Sequence, residues 1–447
     1  MRRLGRWGAG SWLLAQALCA RPAPAQLRPA MRDAQWYALH ADSAFEQGNR
    51  AAYLRLSLQA RQLAPRHPSV LYRLARAYTV NGLPGPALVL LAQAARMGDT
   101  RTVEGDTVFR ALRGDAEFRR IAAAFARNRL PLIFSDTAFV LTDPDLLPDA
   151  LALDPHDSSF FVGSLARHEV LRLTRSADVV DFADPGDGLL RVAALRVDAP
   201  RRVLWCATWA PGLDTARSPA ARVDHTRLFR YDARTGRLLR RLTFGGSPAP
   251  HRLNDLAVTR TGDVYATDGD AGAIYRVRRD ADSLELFVRP DPARFSGPRG
   301  LALDAHDQRL YVAFAAGVGI VDLRTRAVAL LEVPGSITTA DIDGLYRYGA
   351  ALVGVQTNPA FTRVVRFDLD GSGRRVLAEH VLERAHPAYR QPTTGAVVGD
   401  WLYYIANSQW GRLAPDGRLT PDPKARGAII LRLPLAPAAA AEPSRRR

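Results

Sequence analysis

Lysine is almost missing from this chain: Lys424 is the only one in 447 residues, although Lys and Arg together number 61 and the formal net charge is +16. The positive charge is therefore carried by arginines, which are spread along the whole sequence. No basic block alternates with aromatic residues and no nucleic-acid-binding motif occurs, so the charge alone does not make a nucleic-acid partner. A solvated basic surface is the first reading, with attraction of anions or a membrane surface as the alternative. Cysteine is equally scarce, with Cys19 and Cys206 only. The apolar run at residues 11–20 (SWLLAQALCA) falls far short of the ~20 residues a membrane span needs. No G-x-S-x-G, H-E-x-x-H or phosphate-binding Gly-Lys loop is present, which removes the motif-borne hydrolases and nucleotide binders.

What is there begins with an export signature. Arg2, Arg3 and Arg6 precede the apolar run, and Ala23-Pro24-Ala25 before Gln26 forms an A-x-A site, predicting a signal peptide over 1–25 and a periplasmic or secreted protein. Cys19 raises a lipoprotein alternative, but Leu18 stands where a small residue is needed. Cleavage after Ala25 leaves Cys206 alone, so no internal disulfide can form. Cys206 lies in VLWCATW and reads as a buried small hydrophobe. Hydrophobic content of 47% with 24% charge suits a folded chain, and the length allows about two to three domains.

Two rhythms divide the remainder. Over residues 30–129 small and apolar residues recur at helical spacing, and Ala44/Tyr78 and Gly48/Gly82 are both separated by 34 residues. That period resembles the tetratricopeptide repeat, with FRALRGDAEFRRIAAAFARN as a capping helix pair. Such repeats either dock a protein partner or clamp the domain that follows.

From 131 to 436 short apolar runs alternate with Gly, Asp and Pro turns. One phrase recurs six times, beginning at Asp149, Val192, Asn254, Arg299, Asp343 and Thr394, at spacings of roughly 43 to 62 residues. This predicts an all-β, six-bladed β-propeller following a small α-helical domain. The longest spacing is explained by an insertion at 210–225. The run PLIFSDTAFVL before the first copy supplies the fourth strand that the last copy lacks, so the two ends of the domain share one blade. Residues 437–447 read as a disordered basic tail.

First strands of propeller blades line the central channel, so the six starting residues form one ring, with Ala150, Ala193, Asp255, Gly300, Gly344 and Gly395 beside them. Asp149, Arg299 and Asp343 either neutralise one another or build a ligand site. Oxygen donors from several strands suit a hard cation such as calcium, whereas an arginine in the ring favours a carboxylate, phosphate or lactone-type oxygen. His251 reads as a solvated loop histidine, and His156 and His306 as repeat features of matching turns. TDGDAG at 267–272 reads as a turn, and the tryptophans of RVLWCATW and YYIANSQW as strand packing, with Asn407, Ser408 and Gln409 within reach of the channel rim.

HRLNDLAV at 251–258 and the DGL phrase at 343–345 make residues 131–436 resemble the senescence-marker-protein/gluconolactonase family, with diisopropyl fluorophosphatase, paraoxonase and strictosidine synthase as remoter relatives. The resemblance implies a divalent metal at the channel head and hydrolysis of lactones or phosphoesters. Arg252, Asn254 and Asp255 match the family's R-x-N-D motif, implying substrate contacts. Asp343 matches a residue that is both metal ligand and candidate base, and Asp149 stands where a ligating Glu is expected. Arg299 replaces a ligating Asn, and a guanidinium ~4 Å from a divalent cation costs several kcal/mol at an effective dielectric near ~20.

The reading is a lactonase/esterase-type hydrolase acting on a small molecule. Asp343 and Asp255 are the catalytic candidates; Arg252, Asn254 and Arg299 bind substrate, and Asp149, Asn254 and Asp343 are the metal candidates. The alternative is a non-catalytic ligand- or protein-binding propeller whose helical repeats dock a partner.

Overall fold

Two kinds of local patterning build the molecule. The computed structural model describes residues 33–176, 178–209, 226–244, 251–414 and 417–436, within one unit, Arg32–Arg447. The expected signal segment, the insertion at 210–225 and the basic tail lie outside the described residues.

The helical part comprises α1 (Ala34–Glu46), α2 (Arg50–Leu63), α3 (Pro68–Val80), α4 (Pro84–Arg96) and α5 (Ala116–Asn128). Side-chain oxygens of Asp33, Asn49 and Asp115 accept backbone N–H groups in the first turns of α1, α2 and α5. Pro68 and Pro84 open α3 and α4, where a missing N–H costs nothing. The start of α3 lies 34 residues after that of α1, and that of α4 34 after α2. Gly48 and Gly82 turn the two hairpins at φ of +73° and +75°, a region strained for side-chain-bearing residues. Ala41, Ala75, Ala87 and Ala94 are fully buried between the helices, so the backbones approach closely around Tyr53, Leu71 and Phe109. The expected capping pair is a 3₁₀ turn, Thr107–Leu112, followed by α5. No helix among the described residues is long and apolar enough to cross a membrane.

The rest is mostly β and propeller-like, with strands β1–β24 among the described residues. β2–β5 (residues 148–183), β14–β17 (301–330) and β18–β21 (342–384) are three four-stranded antiparallel sheets. An eight-stranded sheet joins β6–β9 (191–244) to β10–β13 (253–288). The join is a short parallel register that sets Ser283 opposite Thr243 and Leu284 opposite Phe244. The last sheet has the order β1-β24-β23-β22, pairing β1 (Asp136–Leu141) with β24 (Ala428–Pro434) beside β23 (Trp401–Ile405) and β22 (Gly395–Val398). The strands nearest the two ends of this region therefore share one sheet, as the sequence predicts. The first strands β2, β6, β10, β14, β18 and β22 touch one another in that order, and β22 touches β2, closing a ring.

Close approach within the ring depends on small residues. A Cβ on Gly300 would lie 2.7 Å from the Leu345 nitrogen, so only glycine lets β14 meet β18 (Ile342–Tyr348) there. The helices dock on one end of this body. His67 Nε2 lies 3.0 Å from Asp341 Oδ2, the Thr100 nitrogen donates to Ala360 O at 2.7 Å, and Gln93 Nε2 donates to Gly335 O at 3.1 Å.

Candidate functional site

Four of the first strands carry a β-bulge at the same height. Pairing jumps from Pro148 to Ala150 in β2 (Pro148–Asp154), from Val192 to Ala194 in β6 (Arg191–Asp198), from Leu253 to Asp255 in β10 (Leu253–Val258), and from Ile342 to Gly344 in β18. A bulge leaves one residue unpaired and re-aims its side chain. The skipped residues, Asp149, Ala193, Asn254 and Asp343, all line a cavity of about 350 Å³, and Arg299 and Thr394 line it from just ahead of β14 and β22.

The ring position in β6 is thus Ala193, not the expected Val192. Val192 is fully buried and packs toward Gly163 of the neighbouring sheet. Ala193 and Ala194 are both small, so the residue pattern of this strand fits two registers one residue apart. With that offset corrected, Arg191 becomes the counterpart of Arg252, each two residues ahead of its bulge, and both line the cavity. Trp209 also lines it, with the Arg191 guanidinium 4.8 Å and the Arg252 guanidinium 5.8 Å from its ring. Trp410, 46% exposed, lines it from β23's side. Both tryptophans were expected to be strand packing; Trp209 ends its strand and Trp410 opens a 3₁₀ turn, and both line the cavity instead.

Asp149 is one of two buried acids of the site whose pKa is raised. Its Oδ1 accepts from Thr393 Oγ1 at 3.0 Å and its carbonyl oxygen from Thr394 Oγ1 at 2.6 Å, tying β2 to β22. Burial and then the Asp343 carboxylate push its pKa up to about 7, against the pull of Thr393, Arg299 and Arg252. Asp343 accepts a hydrogen bond from Arg299 Nη1; burial raises its pKa while the guanidinium pulls it back. Arg299 is held charged first by Asp343. Asn254 Nδ2 donates to Pro298 O at 2.8 Å, and Arg252 Nε lies 3.1 Å from Asp270 Oδ1.

Asp255, expected as a catalytic residue, is not brought to the cavity. Its Oδ1 accepts from Arg196 Nη2 and from the Leu256 nitrogen, both at 2.8 Å, and its Oδ2 accepts from the Leu301 nitrogen at 3.0 Å. A carboxylate so held joins β6, β10 and β14, and it is not among the residues that line the cavity. His251 also differs from expectation: it is buried, stacked on Phe244 at 3.6 Å, with Nδ1 2.5 Å from Asp268 Oδ2. Asn407 and Gln409 bond to the backbone of residues 426–429 instead of the rim. Residues 269–272 turn between two strands, as expected, with Asp268 at the end of the first accepting from the Asp270 and Ala271 nitrogens, and Cys206 is fully buried.

The donor set fits a guanidinium better than a cation. Arg299 bonds the Asp343 oxygen that a cation would need, and a divalent ion beside that guanidinium would meet several kcal/mol of repulsion. Among the described residues no group of three or more His, Cys, Asp or Glu side chains is arranged to hold a metal.

No family model and no curated protein matches the chain. Among solved structures, a gluconolactonase from Xanthomonas campestris is similar over 68% of this chain and 96% of its own, at 17% identity and a TM-score of 0.46. Virginiamycin B lyase from Staphylococcus aureus is similar over 62% and 82%, at 15% identity and 0.45. The calcium-binding protein regucalcin from Agrobacterium tumefaciens is similar over 67% of this chain and 95% of its own, at 18% identity and a TM-score of 0.45.

Proposed function

We propose that the protein is a lactonase/esterase-type hydrolase whose chemistry runs on the chain's own side chains at the channel head. The observation that carries this reading is Asp149, a carboxyl group with a pKa of about 7, sharing one cavity with the Arg299–Asp343 pair. A base titrating near neutral pH is what general-base activation of water needs. Asp149 takes a proton from water as the water oxygen bonds to the substrate carbonyl carbon. The carbonyl oxygen becomes an oxyanion held by Arg299, which Asp343 keeps in place. Collapse breaks the carbon–oxygen bond to the alkoxide, which receives the proton from Asp149. Arg252 and Asn254 orient the substrate. Asp343, expected as the base, is in this reading the anchor of Arg299.

The same reading includes six blades, taking the eight-stranded sheet as two, since six first strands complete the ring. It includes export and tetratricopeptide-like helices, supported by the residue 1–25 pattern and the 34-residue period. The helices act as a clamp on the propeller in this proposal, given their contacts at residues 335–360. A ligand-binding channel without catalysis is the second reading, favoured by the mutual neutralisation of Arg299 and Asp343.

Lactone and aryl-ester hydrolysis by purified protein, with and without chelator, decides between them. Chelator-resistant turnover that Asp149→Asn abolishes, rising with pH through about 7, is the expected result. No turnover of either substrate class sinks the enzyme reading.

A further inference from the structure

A second cleft, of about 370 Å³, opens between the helical part and β20–β21 (Arg363–Leu369 and Val376–Arg384). Its size suits a small molecule. Four arginines line it: Arg96 and Arg129 from the helical side, Arg363 and Arg384 from the sheet, facing one carboxylate, Glu379.

Arg363 is the unusual member, because its side chain is only 4% exposed. Its Nε donates to Gln356 Oε1 at 2.7 Å and its Nη1 lies 2.8 Å from Glu379 Oε1. Its Nη2 is buried and has no hydrogen-bond partner among the described residues. A buried guanidinium nitrogen left unpaired costs free energy unless a ligand completes it. Gly98, in the turn after α4, stands against it; a Cβ there would come 2.7 Å from Arg363 Nη1, so the glycine makes room for the guanidinium. Arg129 Nη1 donates to the Arg101 carbonyl at 3.0 Å and Arg384 Nε to the Leu130 carbonyl at 3.0 Å, which fixes both side chains at the cleft wall. Arg96 is exposed in the last turn of α4 and makes no ion pair or hydrogen bond among the described residues. Phe361, Pro359 and Pro392 supply an apolar side.

We propose that this cleft is a second binding site, for a small organic oxyanion such as a phosphate monoester or a carboxylate. Guanidinium groups on both walls bind its oxygens and so link the helices to the propeller body. The proposal is independent of the channel-head reading.

Titration of the full chain by calorimetry with inorganic phosphate and, separately, citrate, at ionic strength matched with sodium chloride, tests it. Saturable binding of at least one is expected, and the preferred probe distinguishes phosphate from carboxylate recognition. Arg96→Glu, at an exposed position, weakens binding about fivefold or more. Arg55→Glu, an exposed arginine on α2 outside the cleft, and Arg299→Gln at the channel head leave it unchanged. No saturable binding of either probe overturns the proposal. Equal weakening by Arg55→Glu, or loss of binding in Arg299→Gln, overturns it too, since the anion then binds diffusely or at the channel head.

Discussion

Asp149 couples the site's chemistry to the stability of the fold. Its native pKa is raised to about 7, above the value near 4 of an unfolded aspartate. The folded state therefore holds a proton that the unfolded state has already lost, so this group's contribution is fully present below about pH 4 and is lost as pH rises through about 7. Asp149→Asn keeps the acceptor for Thr393 and removes the buried charge. The variant should melt higher than the parent at pH 8, by about 1–2 °C for each kcal/mol released, with the gap closing toward pH 4. Thermal melts at the two pH values check this, and a constant gap would contradict the raised pKa. Arg299 gives the complementary case. Arg299→Asn removes the guanidinium from Asp343 and leaves Asp149, Asn254 and Asp343 as oxygen donors in one cavity. Calcium should then raise the melting temperature of the variant and leave the parent unmoved; an equal response of both would show that the guanidinium does not oppose the cation. Asp149, Arg252, Asn254, Arg299 and Asp343 were all legible in the sequence, because polar residues at the head of apolar strands need partners. Arg191 was not, since the consecutive small residues Ala193 and Ala194 leave the register of β6 open by one residue.

At the scale of the element, Asp255 shows how a motif residue can serve the scaffold. It sits at a ring level otherwise filled by Ala and Gly, which its sequence neighbours had flagged as a packing level. The carboxylate bridges Arg196, Leu256 and Leu301 across three first strands, and its side chain is 7% exposed. Asp255→Ala leaves the Arg196 guanidinium and two backbone N–H groups without that partner, at a cost of about 3–5 kcal/mol. Asn254→Ala, one residue away, loses a single amide bond to Pro298 O and costs about 1 kcal/mol. Denaturant midpoints of the two variants should differ in that order, while Asn254→Ala carries the larger relative loss in substrate affinity. The reverse order would return Asp255 to the site. His251 follows the same logic: its loop position read as solvated, but Phe244 and Asp268, from the strands on either side, close over it. Partners of this kind leave no periodic trace in a single sequence.

For the whole molecule, the sequence periodicity carried most of the architecture, because each sheet repeats the same turn-and-strand pattern and a fourth strand was missing from the last copy. The consequence is mechanical. β1 pairs with β24 from Asp136 opposite Arg432 to Leu141 opposite Ala428, and β24 buries Ile430, Leu431 and Leu433 completely or nearly so. A chain ending at residue 427 lacks β24, so β1 and β23 are both left as unpaired edges and the buried leucines and isoleucine are gone. Open edges invite intermolecular pairing, and three lost core side chains remove about 1.5–3 kcal/mol each. The chain ending at 427 should lose its cooperative thermal transition and elute as aggregate, whereas one ending at residue 436 should match the full chain. Adding a peptide of residues 428–436 should partly restore the transition, because it returns the missing strand to an edge that already fits it. A cooperative melt of the shorter chain within a few degrees of the parent would show that the ring does not depend on this shared sheet for its stability.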